Sequence, residues 1–177
     1  MPETNEAVAL LVMDVQPATI DRAPDTDAYL AKVQQAIDHA HRKHMPVIHV
    51  VVSFRKGAPE AVGIFREMGA KLAEQHPVIA VAANDFVVVK RRVSAFTGSD
   101  LEVLLRAQNI RHLVLAGIAT SGVVLSTLRE SYDKDFQATV LSDLCIDPDP
   151  EVHAVLINKV FPRQAAVMTC AEWIAVS

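Results

Sequence analysis

The alternation of apolar and polar stretches along the chain predicts six buried strands separated by helices. The first, Ala7 to Met13, is an unbroken apolar run that stops at Asp14. Val47 to Val52, interrupted by His49, gives the second, and Asp85 to Lys90 the third. A fourth runs from about Arg111 to Ala116, a fifth from Gln137 to Leu141 before Ser142 and Asp143, and a sixth from Ala165 to Met168. Runs that are apolar on both faces suit parallel strands covered by helices on either side.

Between the strands the period changes. Leu30, Val33, Ile37 and Ala40 mark one helix face, with Thr26 or Asp27 as the expected cap. Pro59 to Gln75 is a weaker helical segment, with Ala61, Ile64, Phe65, Met68 and Leu72 on one side and Gly63 and Gly69 against it. Ser99-x-x-Glu102 reads as a capping box ahead of Leu101, Leu104 and Leu105. Val124, Leu125, Leu128 and Tyr132 share another helical face. Asp149 with Pro150 opens a further helix, and Thr169-x-x-Glu172 caps a closing turn. The alternation, without repeats or linkers, predicts one α/β domain over residues 1–177. Its expected form is a three-layer, Rossmann-like, doubly wound sheet of about six mainly parallel strands with helices on both faces.

Composition narrows the function. Of 177 residues 51% are hydrophobic and 5% aromatic, so the core is mainly aliphatic. A net charge of −4 gives no electrostatic footprint for nucleic acid or an anionic membrane, which leaves a small molecule as the expected partner. Met1 to Glu6 has no cationic leader character and no apolar run reaches spanning length, so a cytoplasmic location is expected. Cys145 and Cys170 lack metal-ligand spacing and read as buried hydrophobes. The group His39, His41 and His44 fits a helix C-terminus better than a metal, because no carboxylate or cysteine joins it in sequence. No cofactor or metal is expected.

The stretch Leu113 to Leu128 organises the rest: strand, loop, then helix. In open parallel sheets ligands lie beyond the carboxyl ends of strands, so the site is expected here. Gly117 and Gly122 have P-loop spacing, but Val123 and Val124 stand where Lys and Ser or Thr would be needed. A nucleophile elbow at Ser121 would want glycines where Ala119 and Val123 are, so Ser121 reads as a turn or cap residue. Three strand exits remain: Asp14, Lys90 and the loop from Gly117 to Gly122. Together they would supply a carboxylate, an ammonium and backbone donors, a catalytic layout. The competing reading is a buried Asp–Lys pair that only orders the sheet edge. Arg91 and Arg92, taken alone, read as a solvated patch.

The order Asp14-x-Gln16, Lys90-x-x-x-Ser94-Ala-Phe96, Leu115-x-Gly-Ile-Ala-Thr120 and Val140-x-x-Asp143 resembles the isochorismatase-like superfamily of cysteine hydrolases, which includes nicotinamidases and N-carbamoylsarcosine amidases. The resemblance spans nearly the whole chain. It implies that Asp14 and Lys90 belong to the catalytic machinery and that the Ile118–Ala119 peptide is cis. It also implies oxyanion donors at the amides of Ala119 and Val123, and substrate contacts from Gln16, Phe96 and Ser121. A homodimer or homotetramer is implied as well. The family's nucleophilic cysteine falls on Val123, so no thiol stands at the reacting position. The metal cluster of some nicotinamidases is absent from the stretch after His49.

Three readings follow. Isochorismatases that lack the cysteine cleave a vinyl ether with the Asp as proton donor, which would make Asp14 the general acid and Lys90 its orienting or anion-binding partner. Hydrolysis of an amide could instead use Ser121, Thr120 or an activated water, with His153 or His76 brought in by the fold. The third reading is a catalytically silent ligand-binding or scaffold homologue.

Overall fold

The computed structural model describes residues 7–55 and 76–177. Six parallel strands form its sheet: β1 (Ala7–Met13), β2 (Val47–Val52), β3 (Phe86–Lys90), β4 (Ile110–Ile118), β5 (Gln137–Ile146) and β6 (Ala166–Met168). Their spatial order is β3-β2-β1-β4-β5-β6. The chain thus winds outward from β1 in one direction and from β4 in the other. The crevice beyond the carboxyl ends of these two neighbours is the topological switch point, where such sheets bind ligands.

The two faces follow from strand periodicity. In β1, Leu10 and Val12 point to one side while Ala9, Leu11 and Met13 point to the other. The first side packs on α1 (Thr26–Arg42), through Tyr29, Val33, Ala36, Ile37 and Ala40, and on α5 (Cys170–Val176), through Cys170 and Trp173. The second packs on α2 (Leu101–Ala107), through Leu101 and Leu105, and on α3 (Leu125–Asp133), through Leu128. Each fully buried aliphatic side chain contributes roughly 1.5–3 kcal/mol, so both layers hold the sheet firmly.

Several boundaries differ from the sequence reading. The cap of α1 is Asp25, whose Oδ1 accepts from the Ala28 N–H at 3.0 Å, because Thr26 and Asp27 already lie inside the helix. Ser99 is not the cap of α2: Asp100 holds that place without a side-chain bond, and the Ser99 hydroxyl donates to the Ala95 carbonyl at 2.6 Å. Asp149 does cap α4 (Pro150–Val155), and Thr169 with Glu172 forms the full capping box of α5. Strand β5 continues five residues past Leu141, its register with β4 shifting between Leu115 and Gly117. Ser142 and Asp143 occupy that irregularity, which hid the continuation from an apolar-run criterion. Tyr132 faces solvent rather than the helix core. The helix expected over Pro59 to Gln75 lies outside the described residues.

Candidate active site

Asp14 leaves β1 with φ 55°, a left-handed conformation that short polar side chains tolerate. Its amide donates to the Val50 carbonyl at 2.8 Å, and its own carbonyl accepts from the Thr19 hydroxyl. The turn is therefore fixed from both sides. Across the crevice Gly117 has φ 159°, and a Cβ there would collide with the Met13 carbonyl oxygen and come within 2.9 Å of Met13 Cβ. Glycine is what lets the β4 loop lie against the residue preceding Asp14.

Lys90 ends β3, two strands from β1, and reaches back so that its Nζ stands 2.9 Å from Asp14 Oδ2. Both side chains are almost wholly buried. The ammonium also donates to the carbonyls of Arg92 and Val93, each at 3.0 Å, so all three of its donors have partners. The other carboxyl oxygen of Asp14, Oδ1, is buried and has no hydrogen-bond partner. Burial pushes the Asp14 carboxyl up to about 6, against the opposing pull of Lys90 and, further off, Arg22. Desolvation thus wins over an ion pair at contact distance. Arg22 was missed by the sequence reading; it sits in the short turn Ile20–Arg22 with no motif to mark it.

The third exit is the loop after β4. The Ile118–Ala119 peptide is cis, and Thr120–Val124 forms a wide turn leading into α3. Val123, at the position of the missing thiol, is 2% exposed and belongs to the core. Neither cysteine replaces it. Cys145 lies within β5 beside Gly117, and burial pushes its thiol up to about 12; Cys170 starts α5, and burial raises its thiol too.

The expected contact residues are placed differently from one another. Gln16 is fully buried, its amide donating to the Val52 carbonyl at 3.1 Å and accepting from the Val52 N–H at 2.8 Å, which ties the β1 exit to the end of β2. Phe96 is buried in the core and stacks on Phe136 with ring centres 5.9 Å apart. Ser121 is exposed, and its amide donates to the Asp147 carboxylate at 2.7 Å. Among the described residues the histidine that arrives bonds its neighbour instead. His153 Nδ1 lies 2.9 Å from the hydroxyl of fully buried Thr120. Burial holds the His153 imidazole below its ordinary value. His76 is exposed and bonds the Pro77 carbonyl.

The histidines of α1 are also taken up, and here a carboxylate does join them. Asp85 accepts from His41 at 2.7 Å and from His49 at 3.1 Å, pinning the end of α1 to β2 and β3, while His39 meets Ser177 and Trp173. Sequence distance concealed this cluster, since Asp85 comes 44 residues after His41. No group of three or more His, Cys, Asp or Glu side chains suited to a metal ion occurs among the described residues. None of their helices is long and apolar enough to cross a membrane.

Comparison with known proteins gives one consistent answer. Residues 8–172 match the isochorismatase domain. The isochorismatase family protein YwoC of Bacillus subtilis is 32% identical, over 96% of this chain and 93% of its own length. The ureidoacrylate amidohydrolase RutB of Stutzerimonas stutzeri is 30% identical over 90% of this chain and 74% of its own. Among solved structures, an isochorismatase family protein from Burkholderia thailandensis superposes with a TM-score of 0.85 at 28% identity, covering 96% of this chain and 94% of that one.

Proposed function

The chain belongs to the isochorismatase family of hydrolases, and from that premise we propose that it hydrolyses a small molecule by thiol-independent chemistry of Asp14 and Lys90, at a vinyl ether or related C–O or C–N bond. The observation that carries this reading is the Asp14 carboxyl. One oxygen is held by Lys90 at 2.9 Å, the other is buried and unpartnered, and burial keeps the proton to about pH 6. A carboxyl so arranged is a general acid poised near neutrality.

With a vinyl ether, the proton of Asp14 passes to the terminal alkene carbon and the ether carbon becomes an oxocarbenium ion. Water adds to that carbon, and the resulting hemiketal collapses to a ketone and an alcohol. The proton released from the water restores the carboxyl, so one water is consumed and no covalent enzyme intermediate forms. Lys90 steadies the carboxylate while it is charged. Val123 stands where relatives of the cysteine type carry a nucleophile, so no thiol takes part in this reaction. The test is Asp14→Asn, which keeps the shape and removes the acid. Turnover of a panel of vinyl ethers and related C–O and C–N substrates should fall to background, and a variant as fast as the wild type would end the proposal.

A second reading is favoured by the Thr120 to His153 contact and by the RutB relatives, named for amide hydrolysis. Here the Thr120 hydroxyl gives its proton to His153, attacks an amide carbonyl, and the imidazolium returns the proton to the leaving amine; water then frees the acyl group. Loss of amidase activity in Thr120→Val, with Asp14→Asn unaffected, would select this reading over the first.

A further inference from the structure

The hydroxyl of Thr127, in α3, accepts from the amide of Ala95 at 3.0 Å, across 32 positions of sequence. We propose that Thr127 is a positioning residue for the reaction: through this bond it holds the turn whose carbonyls aim Lys90 at Asp14. The role rests on the reading of Asp14 as the acid.

Lys90 needs such help because of where it starts. It leaves β3, which is separated from β1 by β2, so its stem must reach past the end of an intervening strand. A long flexible side chain has many other rotamers open to it. Two of its three N–H donors go to the Arg92 and Val93 carbonyls at 3.0 Å, and the third is left facing Asp14 Oδ2 at 2.9 Å. Those two carbonyls open the turn that follows β3. The Arg91 amide closes it on the Thr97 carbonyl at 3.1 Å, and inside it the Thr97 amide donates to the Ser94 carbonyl at 3.2 Å and the Phe96 amide to the Ser94 hydroxyl at 3.3 Å. The Ala95 amide goes instead to α3.

Burial gives that bond its weight. Ala95 and Thr127 are both 0% exposed, so water does not stand in for a lost hydroxyl, and an amide left unpaired there drives the peptide to turn toward another partner. The Val93 carbonyl belongs to the adjoining peptide unit, so such a turn displaces one of the two carbonyls that hold the ammonium. A second tie joins the same elements, from the Thr97 hydroxyl to the Glu130 carboxylate at 3.2 Å, but it is exposed and water competes for it. Helix α3 also follows directly on the turn Thr120–Val124. One helix therefore fixes both the loop after β4 and, through Thr127, the lysine that meets the β1 carboxylate.

The experiment titrates the Asp14 carboxyl by carbon-13 NMR in the wild type, Thr127→Val, Thr127→Ser and Ser131→Ala, and follows kcat/KM against pH on a hydrolysed substrate. Lys90 at contact, and Arg22 further off, pull this carboxyl down against burial, so a loosened Lys90 lets it rise. The midpoint should climb by about half a pH unit or more in Thr127→Val, roughly a threefold change in acid strength, and carry the upper limb of kcat/KM with it. Thr127→Ser keeps the hydroxyl and should return both to the wild-type values. Ser131→Ala removes another buried hydroxyl from α3, one that donates to the Leu128 carbonyl at 2.8 Å, and should move neither. Should the valine variant not fold, Thr127→Ala takes its place. A midpoint that stays put without the Thr127 hydroxyl, that moves as far in Ser131→Ala, or that serine does not restore overturns the proposal, since Thr127 would then only fill the core. A midpoint that climbs while the kinetic limb stays fixed upholds the hold on Lys90 and tells against Asp14 as the acid, so the two failures are read separately.

Discussion

Replacing Asp14 by Asn should move the stability difference between variant and wild type in the variant's favour by an amount that grows with pH. Burial raises this carboxyl from 3.8 to about 6. The native state therefore holds the proton more tightly than the unfolded chain does. The stability this contributes is fully present below 3.8 and is lost as pH rises through about 6. At about 1.4 kcal/mol per pH unit, the gap amounts to about 3 kcal/mol. Asn does not titrate, so the variant escapes the loss. Urea unfolding of both proteins from pH 3 to pH 8 measures the difference, which should rise by about 3 kcal/mol and level off above the Asp14 transition. In thermal melts this corresponds to roughly 6–12 °C for a domain of this size. A difference that stays flat, or a variant that loses ground as pH rises, would show that attraction to Lys90 outweighs desolvation and would refute the reasoning.

Three further substitutions probe the same neighbourhood. Lys90→Met removes the ammonium from Asp14 and from the Arg92 and Val93 carbonyls; it should cost about 3–5 kcal/mol in urea unfolding at pH 7 and move the pH limb of any residual activity upward. Gly117→Ala should destabilise by about 1–3 kcal/mol in the same assay, because its Cβ meets the Met13 backbone, which cannot swing aside as a flexible side chain could. Thr120→Val breaks the contact to His153 and should raise or lower activity less than fivefold if Asp14 is the acid, as steady-state kinetics will show.

The sheet was legible because each strand is an apolar run closed by a polar residue, and in a parallel sheet those closures gather at one end. That is why Asp14 and Lys90, which are 76 positions apart, could be expected to meet before their 2.9 Å contact was seen. Legibility failed where a residue's task depends on tertiary neighbours. Phe96 belongs to a shared motif but stacks on Phe136, and Ser121 turns to Asp147 while buried Thr120 receives the histidine. Arg22, whose charge pulls on Asp14, carries no pattern at all.

The direction in which a proton moves at Asp14 decides between acid and base chemistry, and the pH dependence of kcat/KM reports it. If the carboxyl is the acid, the rate on a hydrolysed substrate falls about tenfold per pH unit above the Asp14 value of about 6. A rate that climbs with pH through the same range would mean that the reaction needs the carboxylate as a base, or a hydroxyl activated elsewhere, and would contradict the account.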